Sequence, residues 1–309
     1  MLNRRQVLKM TGASAAALAV PFGNSLATES KQSASDFKLC LNMSTLRGHK
    51  LGFIKELEVA SKAGFRHAEI WIDSLQQYLN SGGTIKEAKN RMDSLGITAE
   101  DAIGFARWIV DDDAIRRQGI EQLKKEMDIL AQIGCKRIAA PPAGATDTPG
   151  LDLKKAAERY RVLLELGDQT GVVPQLEMWG FSKNLSRASE VMYVAMESGH
   201  PSARVLLDTY HLYKGGSPIE TLSLIGKPAM ELIHINDYPS INRETITDAD
   251  RVHPGDGIGP VKQILKLLKK SDQPLILSEE VFNKNYYAQD PLEVAKTAMT
   301  KMKKVIEGV

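Results

Sequence analysis

"TGVVPQLEMW", residues 170–179, sets a glycine, an apolar run and a carboxylate in close succession. Gly171 has the place of a helix-ending residue, because glycine takes the left-handed turn there without steric cost. Val172 to Leu176 has the length and composition of a buried strand, and Glu177 falls at its C-terminal end. The same order of glycine then apolar run recurs upstream in "AGFRHAEI" (63–70), "LGITAE" (95–100) and "IGCKRIAA" (133–140).

Outward from that stretch, strand candidates lie at 37–45, 67–73, 97–105, 136–144, 172–179, 203–211, 230–238 and 274–282. Segment 97–105 carries two acids and little β-branching. Amphipathic segments run between the strands: 51–64 stops at Gly64, 113–134 stops at Gly134, 260–270 opens with Pro260 in a favoured first-turn position, and 290–308 closes the chain. Eight such alternations predict a single (β/α)8 TIM barrel, an α/β fold of typically ~250 residues. A doubly wound open sheet would favour a glycine-rich phosphate turn after the first strand, and "LNMSTLRGHKLG" (41–52) is not one.

The composition is that of an ordinary soluble globular protein, with 43% apolar and 25% charged residues in 309. A net charge of +2 and the absence of a long basic block argue against a nucleic-acid partner. The N-terminus differs in character. "RRQVLK" (4–9) precedes a mild apolar stretch from Met10 to Phe22 and a small-residue site at Ser25-Leu26-Ala27, which resembles a cleavable twin-arginine export signal. The apolar stretch is too short and too rich in Ala and Gly for a stable membrane span in the mature form. The expected organisation is a signal and short linker over 1–35 and a barrel over 36–309, handed to the twin-arginine machinery and delivered to the periplasm or otherwise exported. The two cysteines, Cys40 and Cys135, fall on the first and fourth strands and are expected as free, structural thiols.

In such a barrel the C-terminal strand ends carry the active site. Glu177 ends the fifth strand, and Asp208 ends the sixth with His211 three residues on. His234 and then Asp237 end the seventh, and Glu279 and Glu280 end the eighth. Any one of these alone reads as a cap, an ion-pair partner or a satisfied core residue. Together, three acids converge with no obvious Lys or Arg at those strand ends, and such a set calls for a cation. Oxygen donors with one imidazole suit a divalent metal, Mn²⁺ foremost, with Mg²⁺, Co²⁺ or Zn²⁺ as alternatives. Side chains alternate along a strand, so only one of Glu279 and Glu280 points inward, and apolar patterning on a two-sided barrel strand does not choose between them.

"LEMWG" (176–180), "LLDTYH" (206–211), "LIHINDY" (232–238), "RVHPGDG" (251–257) and "LSEEVFNKNYY" (277–287), in this order, resemble the xylose isomerase-like sugar phosphate isomerase/epimerase superfamily, its inosose isomerase-like members most of all. The resemblance implies metal ligation by Glu177, Asp208, His234 and Glu280. The "SEEVFN" pattern puts Glu280 in the ligand place and Glu279 at a position usually apolar. It also implies His211 as a substrate contact with a catalytic part, and Glu177 and Glu280 as proton-transferring carboxylates. The implied reaction is isomerisation or epimerisation of a keto sugar or keto cyclitol by proton transfer through an enediolate. The alternative is a metal-dependent lyase or dehydratase, or a keto-glycoside-cleaving enzyme, on the same scaffold. Glu69 and Asn42 are further expected substrate contacts, and Trp71, Trp108, Trp179 and Phe105 are candidates to line a sugar pocket or to pack the rim. "RVHPGDGIGP" (251–260) offers Arg251, His253 and backbone N–H groups to an anion, or is a turn leading into the next helix. Arg243 comes too late after His234 to match the arginine that relatives carry there. Phosphodiester cleavage would need histidines on strands two and three, and neither has one at its C-terminal end. A homo-oligomer is compatible with the sequence.

Overall fold

A computed structural model of the chain describes residues 36–226, 228–269 and 273–309. The expected signal and linker, 1–35, lie outside the described residues. The eight strands are β1 (Phe37–Asn42), β2 (His67–Trp71), β3 (Thr98–Ile103), β4 (Arg137–Ala140), β5 (Val173–Glu177), β6 (Arg204–Asp208), β7 (Leu232–Ile235) and β8 (Leu275–Glu279). They pair in parallel in the order β3-β2-β1-β8-β7-β6-β5-β4, with helices between them, and this is the TIM barrel. Each strand falls inside its sequence candidate.

Local chemistry fixes the helices. Asp112, Asp152 and Asp290 each cap a helix by accepting from backbone N–H groups of its first turn. The helix Asp113–Ile133 ends on Gly134 at φ +83, a conformation that costs an L side chain. Pro260 stands one residue outside the helix Val261–Leu268. A proline has no N–H to leave unsatisfied there. Cys40 and Cys135 are buried free thiols within the apolar core.

Among the described residues β3 and β4 share no ladder, and side chains close that seam instead. Arg137, the first residue of β4, donates from Nη1 to the Glu100 carbonyl of β3 at 3.0 Å and to Glu100 Oε2 at 3.2 Å. Its Nε donates to Glu231 Oε2 at 2.7 Å, and Arg204 at the start of β6 donates to Glu231 Oε1 at 2.9 Å. Inside the barrel, Gln175 Nε2 of β5 donates to Asp101 Oδ2 of β3 at 2.9 Å. The two acids of segment 97–105 are thus structural, Glu100 in the floor network and Asp101 in the interior. Replacing Arg137 by Ala is expected to cost about 1–3 kcal/mol, since it takes one charged partner from each of two partly buried carboxylates. Urea unfolding would show this as a lowered midpoint with an unchanged slope.

Candidate metal centre and rim

The site is built on the strand ends of β5 to β8. Asp208 closes β6 and also caps the short helix Thr209–Gly215, where its Oδ1 accepts the His211 N–H at 3.0 Å. Asn236, just past β7, donates Nδ2 to both Asp208 oxygens at 3.2 and 3.1 Å. The Asn236 Oδ1 in turn accepts from Thr209 and from the Tyr210 N–H, which fixes which way the amide faces. The carboxylate of Asp208 is therefore held in one orientation before any ligand arrives.

His234 has its two ring nitrogens in different surroundings. Nε2 lies 2.9 Å from Glu69 Oε1, and a carboxylate can only accept, so Nε2 carries hydrogen. Nδ1 is buried without a hydrogen-bond partner and faces Glu280 Oε2 at 3.3 Å, Asp208 Oδ2 at 3.7 Å and Glu177 Oε1 at 3.8 Å. Ligand atoms of Asp208, His234 and Glu280 lie within 4.8 Å of one another. Glu177 stands at the margin of that group, with its Oε2 also buried and unpartnered. Hard oxygens plus one imidazole nitrogen, two of the donor atoms being orphaned, are a donor set that fits a divalent ion.

Of the adjacent glutamates, Glu280 is the one that faces this group. Glu279 is fully buried on the other face, where Oε1 meets His253 Nδ1 at 2.5 Å. Glu69, expected as a substrate contact, lies against the His234 ring. It has no exposed surface, and it accepts from Asn42 at 2.9 Å and from Ser278 as well as from His234. Asn42 also turns inward, donating to Glu280 Oε1 at 3.3 Å and accepting from Trp71 Nε1 at 2.9 Å.

Arg251, another expected substrate contact, lies among the acids. The strands carry no basic residue at the site, but the loop after β7 brings one in. Arg251 is buried, and its Nη1 donates to Asp208 Oδ2 at 3.0 Å and Glu280 Oε2 at 2.7 Å. Its Nη2 meets Asp248 and His211 Nε2, the latter at 3.1 Å. The anions it answers are the protein's own. The same holds for the rest of "RVHPGDGIGP". Asp237 takes the Gly255 and Gly259 N–H groups at 3.1 and 2.7 Å, and a Cβ on Gly257 would collide with Asp237 and Tyr238. The segment is a turn closed on an internal carboxylate.

Electrostatics follow from burial. Burial pushes Glu177 up to about 8, His234 pulls it back, and Glu280 raises it further. For Glu280 burial is outweighed by His234 and Arg251, which hold it low. Burial lowers His234, but Glu280 and Glu69 outweigh this and raise it. Burial and then Arg251 lower His211 to about 3. His211 is therefore neutral. Its Nε2 faces a donor-only guanidinium and must accept, which leaves a hydrogen on the buried, unpartnered Nδ1.

Aromatic rings ring this group. Phe282, Trp71, Phe105, Trp179 and Phe181 follow one another at centroid separations of 6.1, 5.4, 6.0 and 5.3 Å, and His211 is next at 5.6 Å. Phe105 and Phe181 are each more than 40% exposed there. Trp108, expected with them, is instead a core residue that donates to the Pro141 carbonyl at 2.9 Å.

A parallel α/β barrel with acids and an imidazole gathered at the strand C-termini defines a class of enzyme-like scaffold. Within it, the chain belongs to the xylose isomerase-like TIM barrel family, whose sequence model matches residues 57–305. Residues 1–21 match the twin-arginine translocation signal, so the chain carries an export signal. Among the described residues, no helix is long and apolar enough to cross a membrane. The chain is 27% identical over 266 residues to an inosose isomerase of Halalkalibacterium halodurans, covering 84% of this chain and 93% of that one. An inosose isomerase of Bacillus velezensis is 28% identical over 268 residues, covering 84% and 94%. A solved structure described as the IOLI protein with a binding zinc atom superposes with a TM-score of 0.79 at 24% identity, over 88% of this chain and 98% of that one.

Two outcomes are expected. Glu69→Gln should weaken divalent-ion affinity about 10–100-fold, because it loosens the ring that presents Nδ1. Affinity should also rise with pH through about 8, where Glu177 sheds its proton. Calorimetry in buffers of different ionisation enthalpy would record the released protons.

Proposed function

We propose that Glu177, Asp208, His234 and Glu280 hold one divalent ion, Mn²⁺ in the working enzyme, and that the protein isomerises or epimerises a keto sugar or keto cyclitol. The observation that carries this reading is the orphaned, buried His234 Nδ1, which faces carboxylate oxygens of Glu280, Asp208 and Glu177. The inosose isomerase relatives support the substrate class. The bound ion supplies Lewis-acid charge for the oxyanion that develops when a proton leaves the carbon beside a carbonyl.

The chain's own groups do the rest. Glu177 enters from β5 and Glu280 from the end of β8, so their carboxylates reach the substrate space from two sides. Glu177 Oε2 has no other partner and is placed to take a proton from carbon. Glu280 Oε1 has only the long bond from Asn42, so Glu280 in its protonated form would deliver its own proton to the other side or to the adjacent carbon, leaving Glu177 with the abstracted one until exchange with solvent resets both. His211, neutral, donates from Nδ1 to a substrate oxygen. Phe105, Trp179 and Phe181 offer flat faces to the apolar side of a ring and shield the site from water. The export signal supports a reading in which this chemistry runs outside the cytoplasm, in the periplasm or otherwise exported.

Deuterium exchange from solvent into 2- and 3-keto sugars and inososes, with added Mn²⁺, tests the proposal. Glu177→Gln is expected to lower exchange at least ~100-fold while the circular dichroism spectrum stays that of the parent. Exchange that survives in Glu177→Gln would remove it from the base role. Loss of water or of an alcohol, with no rearranged product, would reassign the protein as a lyase. Chelation should abolish exchange and re-addition of Mn²⁺ should restore it.

A further inference from the structure

A cavity of about 910 Å³ opens beside the rim, next to the loops that follow β1 and β2, and none of the roles above uses it. Its lining includes Arg47, Lys50, Lys55, Tyr78 and Tyr287. Its size is that of pockets that enclose a whole small ligand.

Arg47 ties the cavity to the site. Its guanidinium lies 4.0 Å from the centre of the Trp71 ring, whose indole N–H holds Asn42, and Asn42 donates to Glu280. Tyr287 is fixed in the wall. Its ring packs where a Cβ on Gly48 would stand, and its hydroxyl donates to the Ser44 carbonyl at 2.8 Å. The cavity thus adjoins the acids through Arg47, Trp71 and Asn42, and a substrate reaching both would pass over Trp71.

The charge of the lining is unbalanced. Arg47 is paired with Asp73, and the buried Glu56 accepts from Ser74. Lys50 and Lys55 are exposed in the same lining and have no ion-pair partner among the described residues. Lys50 also sits at φ +52, a left-handed conformation in which glycine is at ease and lysine is not. Strain of this kind is tolerated at ligand clamps, where a side chain must be presented from a tight turn.

We propose that this cavity is a subsite for an anionic oxygen group, a carboxylate or a phosphate, carried on the part of the substrate remote from the reacting carbons, with Lys50 and Lys55 as its counter-charges. The assignment rests on the isomerase reading for where the reacting carbons lie, but its test does not need turnover. The full chain is titrated with methyl β-D-glucoside, methyl β-D-glucuronide and glucose 6-phosphate by ligand-observed NMR at low salt. The anionic sugars are expected to bind about three- to tenfold more tightly than the neutral one. Lys50→Gln/Lys55→Gln should remove that difference and leave the glucoside unchanged, whereas Lys303→Gln/Lys304→Gln, an equal change of net charge elsewhere, should keep it. The anion with the larger loss in the first variant identifies the group. Equal binding of all three sugars, a preference that survives in Lys50→Gln/Lys55→Gln, or one lost equally in the control would overturn the proposal. Failed deuterium exchange alongside these expected titrations would count against the isomerase reading and not against the subsite.

Discussion

The hydrogen bond between His234 Nε2 and Glu69 Oε1 decides which nitrogen of a fully buried ring looks into the rim. An imidazole has two equivalent ways to present itself, and only an acceptor on one side breaks the tie. Glu69 is such an acceptor, and it is itself held by Asn42 of β1, the neighbouring strand, and by Ser278 of β8, the next one along the sheet. The arrangement of Asp208, Glu280 and Glu177 around Nδ1 has meaning only because the ring is fixed this way.

A concentration of buried carboxylates must be offset, and the offset comes from sequence far from the acids' own strands. Arg251 reaches Asp208 and Glu280 from a loop whose backbone is anchored by Asp237 and by Asn283, which donates to the Arg251 carbonyl at 2.9 Å. Two residues on, His253 meets Glu279 through Nδ1 and stacks on Tyr286 with ring centroids 4.2 Å apart. One loop therefore serves both glutamates of the β8 terminus, each on its own face of the sheet. An ion in the site would share oxygens with the guanidinium, so the loop sets the field that any ion meets.

Much of the architecture was readable in the sequence, because glycine-ended helices and apolar strand runs have local causes. Segment 97–105 read poorly as a strand since its acids answer to partners on β4 and β5. The acids at the strand ends and His234 were legible from their register. Arg251 was legible as a basic residue near the site but not as its counter-charge, because nothing local says how far a loop folds back. Glu69 was legible as an acid near the mouth, whereas its bond to His234 depends on how distant strands bring the two side chains together. Asn236 and Phe181 were missed. The signal for Asn236 was its place between His234 and Asp237, whereas Phe181 gave none, since a lone aromatic after a glycine has no characteristic spacing.

Burial, and then the nearby Glu69 carboxylate, raise the thiol of Cys40, and burial likewise raises that of Cys135. A thiol kept protonated and out of solvent is a poor nucleophile. The twin-arginine route moves chains that have already closed, so the disulfide-forming catalysts of an oxidising compartment would encounter only the finished barrel. For this protein, maturation in the reducing interior separates folding from oxidation in time, and its sulfur atoms arrive already shut away.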